Sequence, residues 1–253
     1  MNLKTPTLTV VGAGPGDLDL ITLKAIRVIE SADVILYDAL VNKALLDYAP
    51  KQAELIFVGK RRGCYAFQQE QINELIVAKA KEKGHVVRLK GGDPFIFGRG
   101  AEEIDYVKPF GLETFVVPGI SSATAVPAYQ GIPLTKRGAS ESFWVITGTT
   151  KNHQLSTDVT LAAKSTATVV ILMGMHKLDE IVSVFSKENK QDTPVAIIQN
   201  GTTPDENVGI GTIRTIQQIV EEKQLSSPAI IVIGEVVKQR AVLSSISNDV
   251  AFA

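Results

Sequence analysis

The chain has 253 residues, 45% of them hydrophobic and 21% charged, with a formal net charge of −1. That length suits one large or two small domains with a buried core, and the composition is that of an ordinary globular protein. The near-zero charge argues against a nucleic-acid or membrane-surface protein held mainly by charge, and the single cysteine, Cys64, excludes an intramolecular disulfide.

The opening MNLKTPTLTVVGAG lacks the apolar core and cleavage site of a signal peptide, and no apolar run reaches bilayer-spanning length, so a cytoplasmic protein is expected. An apolar strand then enters the glycine-rich VGAGPGD (11–17). Ile21, Ala25, Val28 and Ala32 recur at helical spacing and predict a helix over 20–31. VILY (34–37) reads as a short buried strand ending at Asp38, NKALLDYA (42–49) as a helix and ELIFV (54–58) as a strand. QQEQINELIVAKAKEK (68–83) is the clearest helix, with Ile72, Leu75, Ile76 and Ala80 on one face and Gly84 as its stop. HVVRLK (85–90) returns as a strand. Near Pro118 the pattern breaks into VVPGISSATAVPAYQGIPLTKRG, rich in proline, glycine and small residues. Strands are predicted beyond it at SFWVIT (142–147), TVVILM (168–173), PVAII (194–198) and AIIVIG (229–234). Helices near 176–188 and 214–223 separate the last three. The alternation predicts two α/β domains, 1–117 and 118–253, built on parallel sheets covered by helices.

Two turns carry the chemistry. Gly12, Gly14 and Gly16 approach the dinucleotide fingerprint G-x-G-x-x-G, but Asp17 stands where the third glycine belongs and Pro15 removes a backbone donor. Asp38 sits about where a ribose-binding acid would. At this point a dinucleotide site and a plain tight strand-to-helix turn both remain open. The second turn, VVRLKGGDPFIFGRGAEE (86–103), places Gly91, Gly92, Asp93 and Pro94 directly after a strand, at the edge where α/β sheets bind ligands. Adjacent glycines let a ligand lie against the backbone, Asp93 suits hydroxyl or amino groups, and Phe95, Ile96 and Phe97 add apolar surface. The loop suits a nucleoside without phosphates.

VGAGPGD, VGKRRG, RLKGGDPFIFGRGAEE, VPGISSA and GIPLTKRG, in that order, closely resemble the tetrapyrrole methylases, and among them the enzymes that methylate carbons of uroporphyrinogen III. The resemblance runs through MG (173–174), QNGTT (199–203) and PAIIVIGEVV (228–237) to cover almost the whole chain. GGDPFIFGRG is its most specific part, because relatives acting on later corrinoid precursors usually carry a looser SGDP-type loop. The first glycine turn is then a tetrapyrrole-methylase turn rather than a dinucleotide site.

The resemblance implies two α/β domains with a cleft between them, assembled as a homodimer, in a form with no added dehydrogenase or ferrochelatase domain. It implies S-adenosylmethionine as methyl donor, folded between the domains. Pro15, Gly91, Gly92, Asp93 and Ile96 would contact it, joined by Ser121, Ser122, Met173 and Gly201. Core packing for Ile96 and Met173, and a helix cap for Ser121 and Ser122, stay open as alternatives. The implied reaction is methyl transfer to a ring carbon, done twice, giving precorrin-2 for siroheme or cobalamin. Asp38 would be the proton acceptor and Lys60 the proton donor; Asp38 also suits the N-cap of a helix over 39–46, and Lys60 a solvated loop. No metal is expected, since His85, His153, His176 and Cys64 lack metal-ligand spacing. Nucleic-acid and membrane partners are not expected either. The small-molecule tetrapyrrole substrate bristles with carboxylates, and Lys60, Arg61, Arg62, Arg88, Lys90, Arg99, Lys136 and Arg137 all fall in or beside the motifs. Arg61, Arg99 and Arg137 lead as substrate-binding residues, because arginine grips a carboxylate with a bidentate fork. Lys136 joins them, standing where the family usually has histidine, and Ser121 and Ser122 stand where it usually has threonine and alanine.

Overall fold

The structure, a computed structural model, describes residues 5–59 and 67–240. The chain separates into two compact units, Met1–Ser121 and Ser122–Ala253.

The first unit runs β1 (Thr7–Gly12), α1 (Leu23–Ile29), β2 (Val34–Tyr37), β3 (Glu54–Phe57), α2 (Gln69–Lys83), β4 (His85–Lys90), α3 (Gly100–Val107) and β5 (Glu113–Val117). Its sheet has the order β3-β2-β4-β1-β5 and every pairing is parallel. Parallel strands covered on both faces read as continuous apolar runs, which is what VILY and HVVRLK show apart from two cations. Leu8, Val10, Val34, Leu36 and Val86 pack with α2 and α3 through Ile72, Ile76, Ile104 and Val107. Val11, Ile35, Val87 and Leu89 face the other way, onto Ala25 and Ile29 of α1 and Leu45. The chain leaving β1 therefore turns to one face of the sheet and the chain leaving its neighbour β4 turns to the other. Such a divergence opens a crevice beyond the carboxyl ends of the two strands, where open α/β sheets place ligands.

The second unit runs α4 (Ser122–Tyr129), β6 (Phe143–Thr147), α5 (Asp158–Lys164), β7 (Thr168–Leu172), α6 (Leu178–Lys187), β8 (Pro194–Gln199), β9 (Asn207–Thr212), α7 (Ile216–Glu222) and β10 (Ala229–Ile233). Its sheet order is β6-β7-β10-β8-β9. Only β6 and β7 pair in parallel; β10 runs antiparallel to both β7 and β8, and β8 antiparallel to β9. The expectation of parallel sheets throughout fails here. The link 200–206 is too short for a crossover helix, so β8 and β9 close as a hairpin. Ile171, Ile197 and Ile231 pack beneath Ile181 and Phe185 of α6 on one face, while Ala196, Ile198 and Val232 meet Val126 of α4 on the other.

Two predicted helices change form. The span 20–31 divides into a 3-10 turn at Leu18–Leu20 and α1, where the Oγ1 of Thr22 accepts from the Ala25 N–H at 3.1 Å. The span 42–49 is a 3-10 helix, Lys43–Tyr48, capped by Asn42, whose Oδ1 accepts from the Ala44 N–H at 3.1 Å.

Candidate active site

Chain segments from four of the parallel strands converge at the carboxyl edge of the first sheet. A Cβ on Gly12 would lie 2.5 Å from the Cα of Gly119 and 2.6 Å from the carbonyl oxygen of Gly92, and one on Gly119 only 2.2 Å from that oxygen. Gly14 and Gly92 exchange backbone hydrogen bonds, at 3.2 Å from the Gly14 N–H and 2.7 Å from the Gly92 N–H. Glycine is therefore required by backbone-to-backbone contact among three loops, not by a phosphate. Asp17 supports the same conclusion: its Oδ1 accepts from the Asp19 N–H at 2.9 Å, and α1 begins only at Leu23. Pro15 lies half-buried between Gly14 and Gly16, both at positive φ, and the Gly16 carbonyl accepts from the Nδ2 of Asn42 at 2.8 Å.

Asp93 fastens this junction. Its Oδ2 accepts from the Gly119 N–H at 3.1 Å and its Oδ1 from the Phe95 N–H at 2.8 Å. Gly91 packs on the turn after β2, where its Cβ would meet the Cβ of Leu40 at 2.9 Å. Gly100 closes the following loop by donating to the Pro94 carbonyl at 3.0 Å, and Phe97 and Arg99 hold left-handed φ values of 56° and 60°. Phe95, Ile96 and Phe97 are all exposed on this constrained loop. Strained backbone carrying exposed apolar side chains marks a binding surface better than a core.

Asp38 does not cap a helix; Asn42 takes that role. Its carboxylate instead joins three buried charges. Val34 and Leu36 face the same side as Val86, so Asp38, Arg88 and Lys90 continue that side by the two-residue period of a strand. The Oδ1 of Asp38 lies 2.5 Å from an Arg88 Nη2 and its Oδ2 lies 3.7 Å from the Lys90 Nζ. Glu103, from α3, meets the Arg88 Nε at 3.1 Å and the Lys90 Nζ at 2.9 Å through a single oxygen, Oε1. Fractional exposures are 2% for Arg88, 4% for Lys90, 0% for Glu103 and 29% for Asp38, so only Asp38 reaches solvent appreciably. Burial draws the Arg88 guanidinium downward, but Glu103 and Asp38 outweigh it and hold the group above its ordinary value. Burial, and then the neighbouring Arg88, push the Lys90 ammonium below the usual lysine range, against the pull of Glu103 and Asp38. Arg88 and Lys90 are thus structural cations buried in the sheet, and the expectation that they greet substrate carboxylates is corrected. Glu103 escaped sequence reasoning. Its signal was the alternation in HVVRLK, which points both cations inward and so demands a carboxylate.

Ser121, the last residue of the first unit, is buried just ahead of α4, and Ser122 opens the second unit as the first residue of that helix. Met173 follows β7 with a left-handed φ of 55° and an exposed side chain, its carbonyl accepting from the Oγ1 of Thr149 at 2.9 Å. Gly201 lies between Asn200 and Thr202, both left-handed, and its Cβ would stand 2.3 Å from the Cγ1 of Val126. Lys136 and Arg137 are exposed and line an open hollow of about 640 Å³ with Thr135, Gly138, Ser140 and Glu141. The Lys136 Nζ donates to the neutral Gln239 at 2.5 Å. Arg99 is exposed and gripped by Glu102, with its Nε 3.1 Å from each carboxylate oxygen, and this partner raises its basicity further. Lys60, Arg61, Arg62 and Cys64 lie outside the described residues.

Among the described residues, no three His, Cys, Asp or Glu side chains gather as a metal site, and no helix is long and apolar enough to cross a membrane. The family model for tetrapyrrole (corrin/porphyrin) methylases matches residues 7–217. A uroporphyrinogen-III C-methyltransferase of Methanocaldococcus jannaschii is 48% identical over 235 residues, 92% of this chain and 97% of that protein. A siroheme synthase of Nitrosomonas europaea is 43% identical over 92% of this chain, which spans 50% of that longer protein. Among solved structures, a uroporphyrin-III C-methyl transferase from Thermus thermophilus, complexed with S-adenyl homocysteine, superposes with a TM-score of 0.79 at 34% identity. That match covers 92% of this chain and 99% of the Thermus chain.

Proposed function

Because this chain belongs to the tetrapyrrole methylases, we propose that it is an S-adenosylmethionine-dependent uroporphyrinogen-III C-methyltransferase, methylating its substrate twice to give precorrin-2 for siroheme or cobalamin synthesis. The observation that carries this reading is the near end-to-end match to the archaeal enzyme, in which both chains are covered almost completely.

The residues present suit the methyl donor. Bound, S-adenosylmethionine supplies a methyl group on a sulfonium, an electrophile that already carries its leaving group. The loop fastened by Asp93 offers backbone groups at Gly91 and Gly92 to an adenosine edge, with Ile96 as apolar bed and Pro15 fixing the neighbouring turn. By the family reading, the turns at Ser121, Ser122, Met173 and Gly201 would offer a hydroxyl-bearing segment, an exposed thioether held in a strained backbone and a glycine that packs against Val126. Both oxygens of Asp93 already accept from backbone, so its first task is to shape the loop; each keeps a further lone pair for a ligand hydroxyl or amine.

Transfer of the methyl group to an electron-rich pyrrole carbon leaves the ring cationic, and a proton must then depart. Asp38 is the acceptor, placed at the end of β2 with one oxygen held by Arg88 and the other free of hydrogen bonds among the described residues. Lys60 returns a proton, and Arg61, Arg99, Lys136 and Arg137 receive the substrate's carboxylates. The same family reading carries a homodimer acting in the cytoplasm, which size-exclusion chromatography with light scattering tests for the assembly. The decisive experiment is anaerobic incubation with S-adenosylmethionine and uroporphyrinogen III, followed by mass spectrometry. A product gaining two methyl groups is expected; no gain, with S-adenosylhomocysteine still bound, transfers the activity to another tetrapyrrole.

A further inference from the structure

Asp38 faces two buried cations at once, Arg88 at 2.5 Å and Lys90 at 3.7 Å. Helix α3 supplies a second anion in the same place. Glu103 directs one oxygen, Oε1, at Gln69, Arg88 and Lys90, at 3.1, 3.1 and 2.9 Å, while its buried Oε2 has no partner among the described residues. An anion kept only to anchor a helix would satisfy both oxygens; this one is spent on the two cations that also face Asp38. Arg88 is immobilised on every side. Glu103 takes its Nε, the carbonyls of Leu36 and Leu89 take an Nη1 at 3.4 and 3.3 Å, and the Nη2 is left aimed at Asp38.

Resting on the reading of Asp38 as proton acceptor, we propose that Lys90 and Glu103 are positioning residues that hold, together with Arg88, the orientation and charge balance of the Asp38 carboxylate. The formal charges of the four groups sum to zero. Arg88 fixes Oδ1 and thereby the rotamer, so Oδ2 is the oxygen offered to the departing proton; the carbon or nitrogen bonding pair stays with the ring as the proton passes to Oδ2. Lys90 stands 3.7 Å from Oδ2 and does not occupy that oxygen by a hydrogen bond. Glu103 divides the field of both cations through its single oxygen Oε1. Among the described residues, the charged groups facing Asp38 from the packed elements are Arg88 and Lys90 on β4, with Glu103 on α3 behind them; α2 contributes the neutral Gln69 and Asn73.

The proposal makes predictions of opposite sign. Lys90→Met removes a cation and should move Asp38 titration, and the acidic limb of the kcat–pH profile, upward by about one unit or more. Glu103→Gln removes the competing anion and should move both downward. The double variant, neutral in its remaining pair, should return near wild type. Asp38 titration is followed by the carboxyl carbon signal in ¹³C-aspartate-labelled protein, assigned by its absence in Asp38→Asn, so the readout does not depend on turnover. Should Glu103→Gln fail to fold, Lys90→Met and the charge-balanced double variant still decide. An Asp38 signal that titrates alike in wild type and Lys90→Met overturns the proposal. Full activity in Asp38→Asn overturns the acceptor reading instead, while the titration shifts still report whether Lys90 and Glu103 govern that carboxylate.

Discussion

Gly119 shows how tightly residue identity is set at the candidate site. A methyl group there would lie 2.2 Å from the Gly92 carbonyl and clash with the Gly12 backbone, neither of which is a flexible side-chain end. Gly119→Ala should therefore destabilise the first unit by about 3 kcal/mol through overpacking, seen as a lower denaturant midpoint, and weaken S-adenosylhomocysteine binding in calorimetry. Asp93→Ala acts differently. It leaves the Gly119 and Phe95 N–H groups without their acceptor, for a loss of about 1–3 kcal/mol, so the protein should fold yet lose most activity as the loop relaxes. Full turnover in soluble Asp93→Ala protein would contradict the assignment of this loop to the methyl donor. The motif alone pointed to Asp93 as a ligand group; its bond to the Phe95 N–H is local, but that its other oxygen binds the Gly119 N–H is a tertiary fact, since Gly119 is far along the chain. Asp38 was legible as a group of interest because it ends a strand, but its partners were not. The cations beside it looked like substrate ligands until the pleat turned them inward.

At the scale of elements, legibility followed periodicity and punctuation. The helix α2 was read almost to the residue because its apolar stripe is long and Gly84 stops it. Gln68 and Gln71 close its start as a capping box, with the Gln68 N–H donating to the Gln71 Oε1 at 2.9 Å. Gln71→Ala should lower the melting temperature modestly, by the equivalent of about 1 kcal/mol. The helix α4 was legible only at its start, as the segment that Ser121 and Ser122 were offered to cap, because SATAVPAY carries Pro127 inside and small residues along most of its length. The strand β9 was missed because Gly209 and Gly211 interrupt its apolar pattern. Those glycines face α7, and side chains there would run into Leu225 and Ile219 at 2.7 and 2.5 Å, so the gap in the pattern is the seat of a helix. The antiparallel half of the second sheet was misread for a related reason: alternating helix and strand signals look alike whether a chain crosses over or folds back. Packing of that sheet rests on α6, where Phe185 is fully buried among Ile171, Ile181 and Ile197. Phe185→Ala should cost about 3–5 kcal/mol, while Phe185→Leu should lose far less, as chemical denaturation would show.

For the whole molecule, the decisive quantity is the mismatch between a protein of net charge −1 and a substrate lined with carboxylates. A nearly neutral protein provides little long-range steering, so recognition must come from cations whose charge is not already spent. The described basic residues divide on that criterion. Arg88 and Lys90 are consumed inside the sheet, whereas the contact of Arg99 with Glu102 is an exposed pair that a substrate carboxylate can displace. Lys136 is different: its Nζ is held by the neutral amide of Gln239, which orients the ammonium and leaves it without an ion pair among the described residues, over the hollow it lines with Arg137 and Glu141. That makes the departure from histidine at this position consequential. A lysine keeps its charge throughout the neutral range, whereas a histidine loses it as the pH rises through about 6.5. Lys136→His should therefore bind uroporphyrinogen III much as wild type does at pH about 6 and progressively worse at pH about 8. One exposed carboxylate contact corresponds to up to roughly 1 kcal/mol, a rise in KM of up to about fivefold. The KM for S-adenosylmethionine should not follow, because the lost charge belongs to the substrate's side of the reaction. Steady-state kinetics of both proteins across that range read the difference directly, and equal pH dependence of substrate KM would remove Lys136 from the substrate site.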